Sequence, residues 1–176
     1  MEYFEKSDFN PGGVLDIVDN RDYKWEEVGG AVTPFDWNVG YDVEKQLRSS
    51  IGSSFTNLVV KDQGGSFSCG GQAWAYQAEV LEALNTGTYE PRSAKYVYSQ
   101  TWVPGGGSRG RDNSDVFIKQ GVSREAVLPS YQNGMVPTEA FIIRSADIND
   151  DIRTDAKLSK ASAYAYTTGG TLTNTN

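Results

Sequence analysis

Beyond residue 70 the apolar residues of this chain fall at helical spacing, while the earlier part shows no sustained period. Tyr76, Val80, Ala83 and Leu84 recur at i, i+4, i+7 and i+8, and Trp74, Ala78 and Leu81 form a stripe beside them. So wide an apolar face predicts a central, mostly buried helix that opens near Gln72 and closes near Asn85. Gly87 supplies its stop. Residues 93–102, SAKYVYSQTW, predict a second helix just behind Pro91. A third is expected over residues 114–121, SDVFIKQG, with Asn113 or Ser114 as N-cap and Gly121 at its end. A polar helix is expected near residues 146–162, with Ile148, Ile152 and Leu158 as its apolar positions. The intervening pieces, KDQGGSFSCGG, VPGGGSRGRDN and VSREAVLPSYQNG, read as loops and turns.

The first 30 residues read as an extended arm. FNPGG marks a turn, GVLDIVDN is a short apolar segment, and YKWEEVGGAVTPFDW is irregular chain pinned by aromatics. Residues 40–50 predict one or two helical turns through Val43 and Leu47, FTNLVV at 55–60 a short strand, and TTGGTLTNTN at 167–176 a frayed polar tail. The division that results is an arm at 1–33 and a mainly helical body at 34–176. Little strand is visible in a chain rich in Tyr, Thr and Gly, which suggests that a β-rich portion belongs elsewhere.

Composition narrows the function classes. The chain has 176 residues, 38% of them hydrophobic, and a net charge of -7. That length fits one domain. No run of Lys and Arg offers a footprint for nucleic acid, and acidity discourages anionic membranes. No apolar stretch nears the roughly 20 residues of a membrane helix. MEYFEKSDFN has neither the basic nor the apolar region of a signal peptide. A single cysteine permits no internal disulfide, and the complete lack of histidine removes imidazole bases and His-based metal sites. The acidic run DINDD, 147–151, lacks the Gly and distal Glu of a calcium loop and reads as a solvated helix start, so neither metal nor cofactor is expected.

The chemistry concentrates in KDQGGSFSCGGQAWAYQAEVLEAL, residues 61–84. A nucleophile at a helix N-terminus gains from the helix dipole. An upstream amide, with the nucleophile's own N–H, can hold a developing oxyanion. Gln63 and residues 69–73 supply such a layout, and the small residues between them let backbone approach a substrate.

This stretch resembles the papain-like cysteine peptidases, whose signature runs from Gln-Gly to Cys-Trp-Ala-Phe/Tyr at the start of a long central helix. PFDW at 34–37, DQG at 62–64, GGGS at 105–108 and IKQGVSREAVLPSY at 118–131 follow in the order of that family's segments. The resemblance implies an α+β, papain-like fold, represented here mainly by the helical N-terminal lobe. It also implies endopeptidase activity on peptide or protein substrates. Gln63 would be the oxyanion residue, and Gly105, Gly106, Gly107 and Trp74 would contact substrate. Alignment on Trp74-Ala75-Tyr76 puts the nucleophile at position 73, which is Ala. It makes Cys69 the counterpart of an upstream structural cysteine. Alignment on the spacing from Gln63 makes Cys69 the nucleophile instead, without a Trp neighbour and, with Gly70-Gly71 following, without a helix to begin. The first placement is preferred, so the chain is expected to be inactive as written, either silenced by substitution or as a natural pseudoenzyme. The family's His and Asn lie in a β-rich second lobe, which a continuation or a separate chain would supply, and the arm at 1–33 would be a strap docked on the lobe or a neighbour, or the remnant of a propeptide. A catalytically dead module for peptide binding or assembly is the alternative, a chance likeness in a helical structural protein a third reading, and secretion is the common family habit.

Overall fold

The longest element, helix α1, spans Cys69–Thr86 and closes on Gly87 in a left-handed conformation, whose N–H donates to Ala83 O at 2.9 Å. The computed structural model describes Gly13, Val14, Asp16 and residues 60–161. PFDW, the helical turns at 40–50, the strand at 55–59, the side chain of Leu84 and the tail at 167–176 lie outside the described residues.

The expected start of α1 near Gln72 is corrected to Cys69, so Gly70 and Gly71 lie inside the helix. Glycine weakens a helix by its backbone freedom. Here neighbours demand it. A Cβ on Gly71 would stand 2.6 Å from Tyr98 Cβ, and one on Gly70 2.5 Å from Ser108 Oγ. The buried face of α1 also differs from the expected stripe of large residues. Ala75, Ala78 and Ala83 are buried, Trp74, Tyr76 and Val80 half-buried, and Leu81 exposed. Small residues face inward because helix α2, Ala94–Thr101, runs close alongside with Tyr96, Val97 and Tyr98 wholly buried. Ser93 caps α2 by accepting from Tyr96 N–H at 3.1 Å.

The glycine-rich stretch at 103–113 is only partly loop. Ser108–Arg109 form strand β2, and helix α3 runs over Gly110–Lys119, four residues ahead of its expected start at Ser114. Asp112 in its first turn suits the positive end of that helix. Strand β1, Gly13–Val14, pairs in parallel with β2, Gly13 opposite Ser108 and Val14 opposite Arg109. Helix α4, Glu139–Ile142, is too short to carry a sequence period and was not expected. The helix expected over 146–162 is in fact a 3-10 turn at Ser145–Asp147 followed by α5, Asp150–Ala156. Ile148 takes an extended conformation between them. Asn149 caps α5 by accepting from Ile152 N–H at 3.0 Å. Ile148 and Ile152 are buried as expected, but Leu158 is 76% exposed and belongs to no core.

The described chain is thus mostly helical, with one short parallel pair. Its core joins Ala75, Tyr96, Val97, Phe117, Val122 and Ile152, and Trp74 meets Phe117 edge-on with ring centroids 6.2 Å apart. Fixed charges brace this core. Buried Glu79 pairs with Lys61 Nζ at 2.7 Å and also accepts from Arg92 N–H and Tyr89 O–H. Asp155 accepts from Ser123 Oγ at 2.9 Å, Arg124 N–H at 2.8 Å and Arg124 Nε at 2.7 Å. Burial alone would raise the Asp155 carboxyl, but these donors outweigh it and hold the group below the usual carboxylate range.

Gly71→Ala should therefore cost about 1–3 kcal/mol of unfolding free energy in a urea titration, because neither Tyr98 nor the Ala94 carbonyl has room to give. Gly65→Ala, with no atom within 4 Å of its Cβ, should stay within about 0.5 kcal/mol. The depressed Asp155 carboxyl contributes stability at neutral pH that declines as pH falls below about 4. The stability gap between wild type and Asp155→Asn should accordingly shrink in acid, as read by denaturant midpoints across pH 2–7.

Candidate active site

The site is assembled around the N-terminal tip of α1. Ser68 is the N-cap and Cys69 the first helical residue, partly exposed. The expectation that Cys69 begins no helix is thereby corrected: the first turn tolerates Gly70 and Gly71 because both are approached by neighbouring chain. N–H groups in a first turn have no carbonyl partner within their helix, so those of residues 69–71 point outward at its positive end. Ala73 stands in the second turn, exposed, at the edge of a 230 Å³ hollow lined by Val60, Lys61, Gln72 and Tyr76. Because α1 opens at Cys69 and not near Gln72, position 73 lies one turn inside the helix and not at its tip.

Gln63 belongs to the turn that leads into this tip. Its carbonyl accepts from Ser66 N–H at 3.2 Å and Ser66 Oγ at 2.6 Å. Ser66 Oγ lies 2.7 Å from Ser68 Oγ, which accepts from Gln72 Nε2 at 3.3 Å. Gln63 is therefore tied through two buried serines to the cap of α1. Its own Nε2 donates to Ser66 O at 3.1 Å, so the amide lies over its turn.

Gly105, Gly106 and Gly107 form a loop with φ of 98°, 98° and 88°, closed by Gly106 N–H to Val103 O and Val103 N–H to Gly107 O, both 3.0 Å. The loop lies against the Cys69 turn. A Cβ on Gly106 would stand 2.8 Å from the Phe67 ring. Just past the loop, Ser108 Oγ accepts from Asn113 Nδ2 at 2.9 Å, and both side chains press on Gly70. Asn113 Oδ1 accepts from Thr101 Oγ1 at 2.6 Å, so α2, α3 and β2 meet behind the tip. Glu139 joins the same region, accepting from Phe67 N–H and from Tyr98 O–H. Burial and the adjacent Glu139 push the Tyr98 phenol well above its ordinary value, so it keeps its proton. Trp74 contributes packing on Phe117.

On the outer side of β2, β1 adds its two residues, and Asp16 Oδ1 accepts from Arg111 N–H at 3.0 Å in the first turn of α3. Among the described residues no group of three or more His, Cys, Asp and Glu is placed to hold a metal ion, and no helix is long and apolar enough to cross a membrane.

Among solved structures, this chain is similar to xylellain, a cysteine protease from Xylella fastidiosa, with a TM-score of 0.57. The fold is papain-like. The match has 20% sequence identity and covers 95% of this chain and 61% of xylellain, so the present chain spans about three fifths of that protein's length. A second similar structure is the proform of the Amb a 11 cysteine protease, a major ragweed pollen allergen, at TM-score 0.40 and 27% identity over 54% of this chain and 29% of that one. No protein-family model and no curated protein matches the chain.

Within this papain-like fold, Cys69, Gln63 and the three glycines lie at one end of α1. Tyr98, Ser108, Asn113 and Glu139 were missed. Ser108 and Asn113 sit in a stretch whose glycines masked its strand and helix, and nothing in the order of residues links Glu139 to a turn 72 positions away. Asp16→Ala should lower stability by about 1 kcal/mol and speed hydrogen exchange at the Arg111 amide, as expected for a lost carboxylate at a helix start.

Proposed function

We infer that this chain supplies the nucleophile-bearing lobe of a papain-like cysteine endopeptidase, with Cys69 rather than position 73 as the attacking sulfur. The observation that carries this reading is the start of α1 at Cys69, six residues after Gln63 and beside the Gly105–Gly107 loop. A peptide substrate lies extended along the glycine wall, where the lack of side chains lets its backbone approach. The sulfur attacks the scissile carbonyl carbon and the carbonyl oxygen takes up the electron pair. The Cys69 N–H, at the positive end of α1, and the Gln63 amide, turned off Ser66, donate to that oxygen. Collapse of the intermediate breaks the C–N bond, and the leaving amine takes a proton.

The proton acceptor and donor come from outside this sequence, which contains no histidine. A second lobe carrying His and Asn, from a continuation of the polypeptide or from another chain, completes the site. The same absence favours a second reading, in which the 176-residue chain by itself binds peptide without cleaving it.

Since Cys69 is the sole cysteine, covalent labelling is unambiguous. The full chain should be treated with a peptidyl epoxide and with iodoacetamide, and adducts followed by intact mass. The peptidyl reagent should label Cys69 about tenfold faster, equivalent to about 1.4 kcal/mol of added binding. Cys69→Ser should abolish labelling, and adding Ala73→Cys to that variant should show no peptidyl preference. The opposite ranking returns the nucleophile to position 73. Retention of the peptide without labelling supports the binding module, and no preference at either position removes the peptidase reading.

A further inference from the structure

We propose that Glu139 is a positioning residue for the cleft, setting the spacing between the Cys69 turn and the Gly105–Gly107 wall. The inference rests on the peptidase reading above and deepens it. The carboxylate spans two elements that must keep register for a peptide to lie between them and the sulfur. Its Oε2 accepts from Phe67 N–H at 2.8 Å, two residues before Cys69. Its Oε1 accepts from Tyr98 O–H at 2.7 Å, and Tyr98 Oη accepts in turn from Gly107 N–H at 2.8 Å. Three hydrogen bonds therefore run without a break from the nucleophile's turn to the last glycine of the wall.

The residue types suit this task. A carboxylate is an acceptor at both oxygens, so it can hold two donors from different elements, and its charge strengthens both bonds. The Tyr98 phenol keeps its proton and so remains a donor to Glu139 while accepting from Gly107. Three successive glycines at positive φ leave the wall dependent on its two backbone hydrogen bonds with Val103 and on its neighbours for position. The Phe67 ring packs closely on Gly106, and the Glu139–Tyr98 chain holds Gly107. Glu139 is presented by the four-residue helix α4, which is anchored separately by Ile142, wholly buried.

Glu139→Ala, Glu139→Gln and Tyr98→Phe in the full chain test this assignment. The readout is the ratio of the Cys69 labelling rate with the peptidyl epoxide to that with iodoacetamide, which needs no wall. Glu139→Ala should lower the ratio about tenfold, the scale of lost charge-assisted hydrogen bonds, with the iodoacetamide rate within about twofold of wild type. Glu139→Gln keeps one acceptor oxygen and should fall between the two. Should Glu139→Ala fail to fold, Glu139→Gln and Tyr98→Phe carry the test. Faster hydrogen exchange at both the Phe67 and Gly107 amides should accompany the lowered ratio. An unchanged ratio in all three variants, or a parallel change in both rates, overturns the positioning role while leaving the peptidase reading intact. Absence of any peptidyl preference in the wild-type chain overturns both.

Discussion

Backbone and side chains can pack against the first turn of a helix most closely where that turn is bare. In this chain Gly70 and Gly71 leave α1 without side chains on the two sides where Ser108, Asn113 and Tyr98 press against it. Everything that gathers around Cys69 follows from that contact. Helix α2 can run close enough to place Tyr98 under the turn, and the strand after the glycine loop can cross the tip. The cost of glycine in a helix is met by packing that no other residue permits.

Polar groups finish what the close packing begins. Two buried serines tie Gln63 to the cap of α1, and Asn113 ties β2 and α2 to the start of α3. Farther back, Glu79 and Asp155 satisfy several donors each. Buried carboxylates with full sets of partners fix orientation, since any shift strands a charge or a donor in a poorly solvated interior. The chain thus holds the edge around Cys69 with hydrogen bonds and its body with a modest apolar core.

The fold was legible where side chains repeat and obscure where contact decides. The run SAKYVYSQTW behind Pro91 announced α2, and Gly87 marked the end of α1. The papain-like likeness rested on PFDW, DQG, the run through Trp74-Ala75-Tyr76, GGGS and IKQGVSREAVLPSY in sequence order. What misled was the local grammar of glycine. Gly70 and Gly71 read as a helix stop, and Gly110 as loop, because the atoms that exclude a Cβ come from distant residues. The start of α1 moved by three residues as a result, and with it the residue at the tip. Glu139 left no trace in any pattern, since its partners Phe67 and Tyr98 are 72 and 41 positions away.

The parallel pair of β1 and β2 bears on the order of assembly. Asp16 and Arg111 are 95 residues apart, and the pair beside them offers two residues of strand. Closing so long a loop costs conformational entropy, and a partner edge already in place reduces what the pairing must offset. Strand β1 is therefore best docked on an edge that the local contacts around β2 have already built.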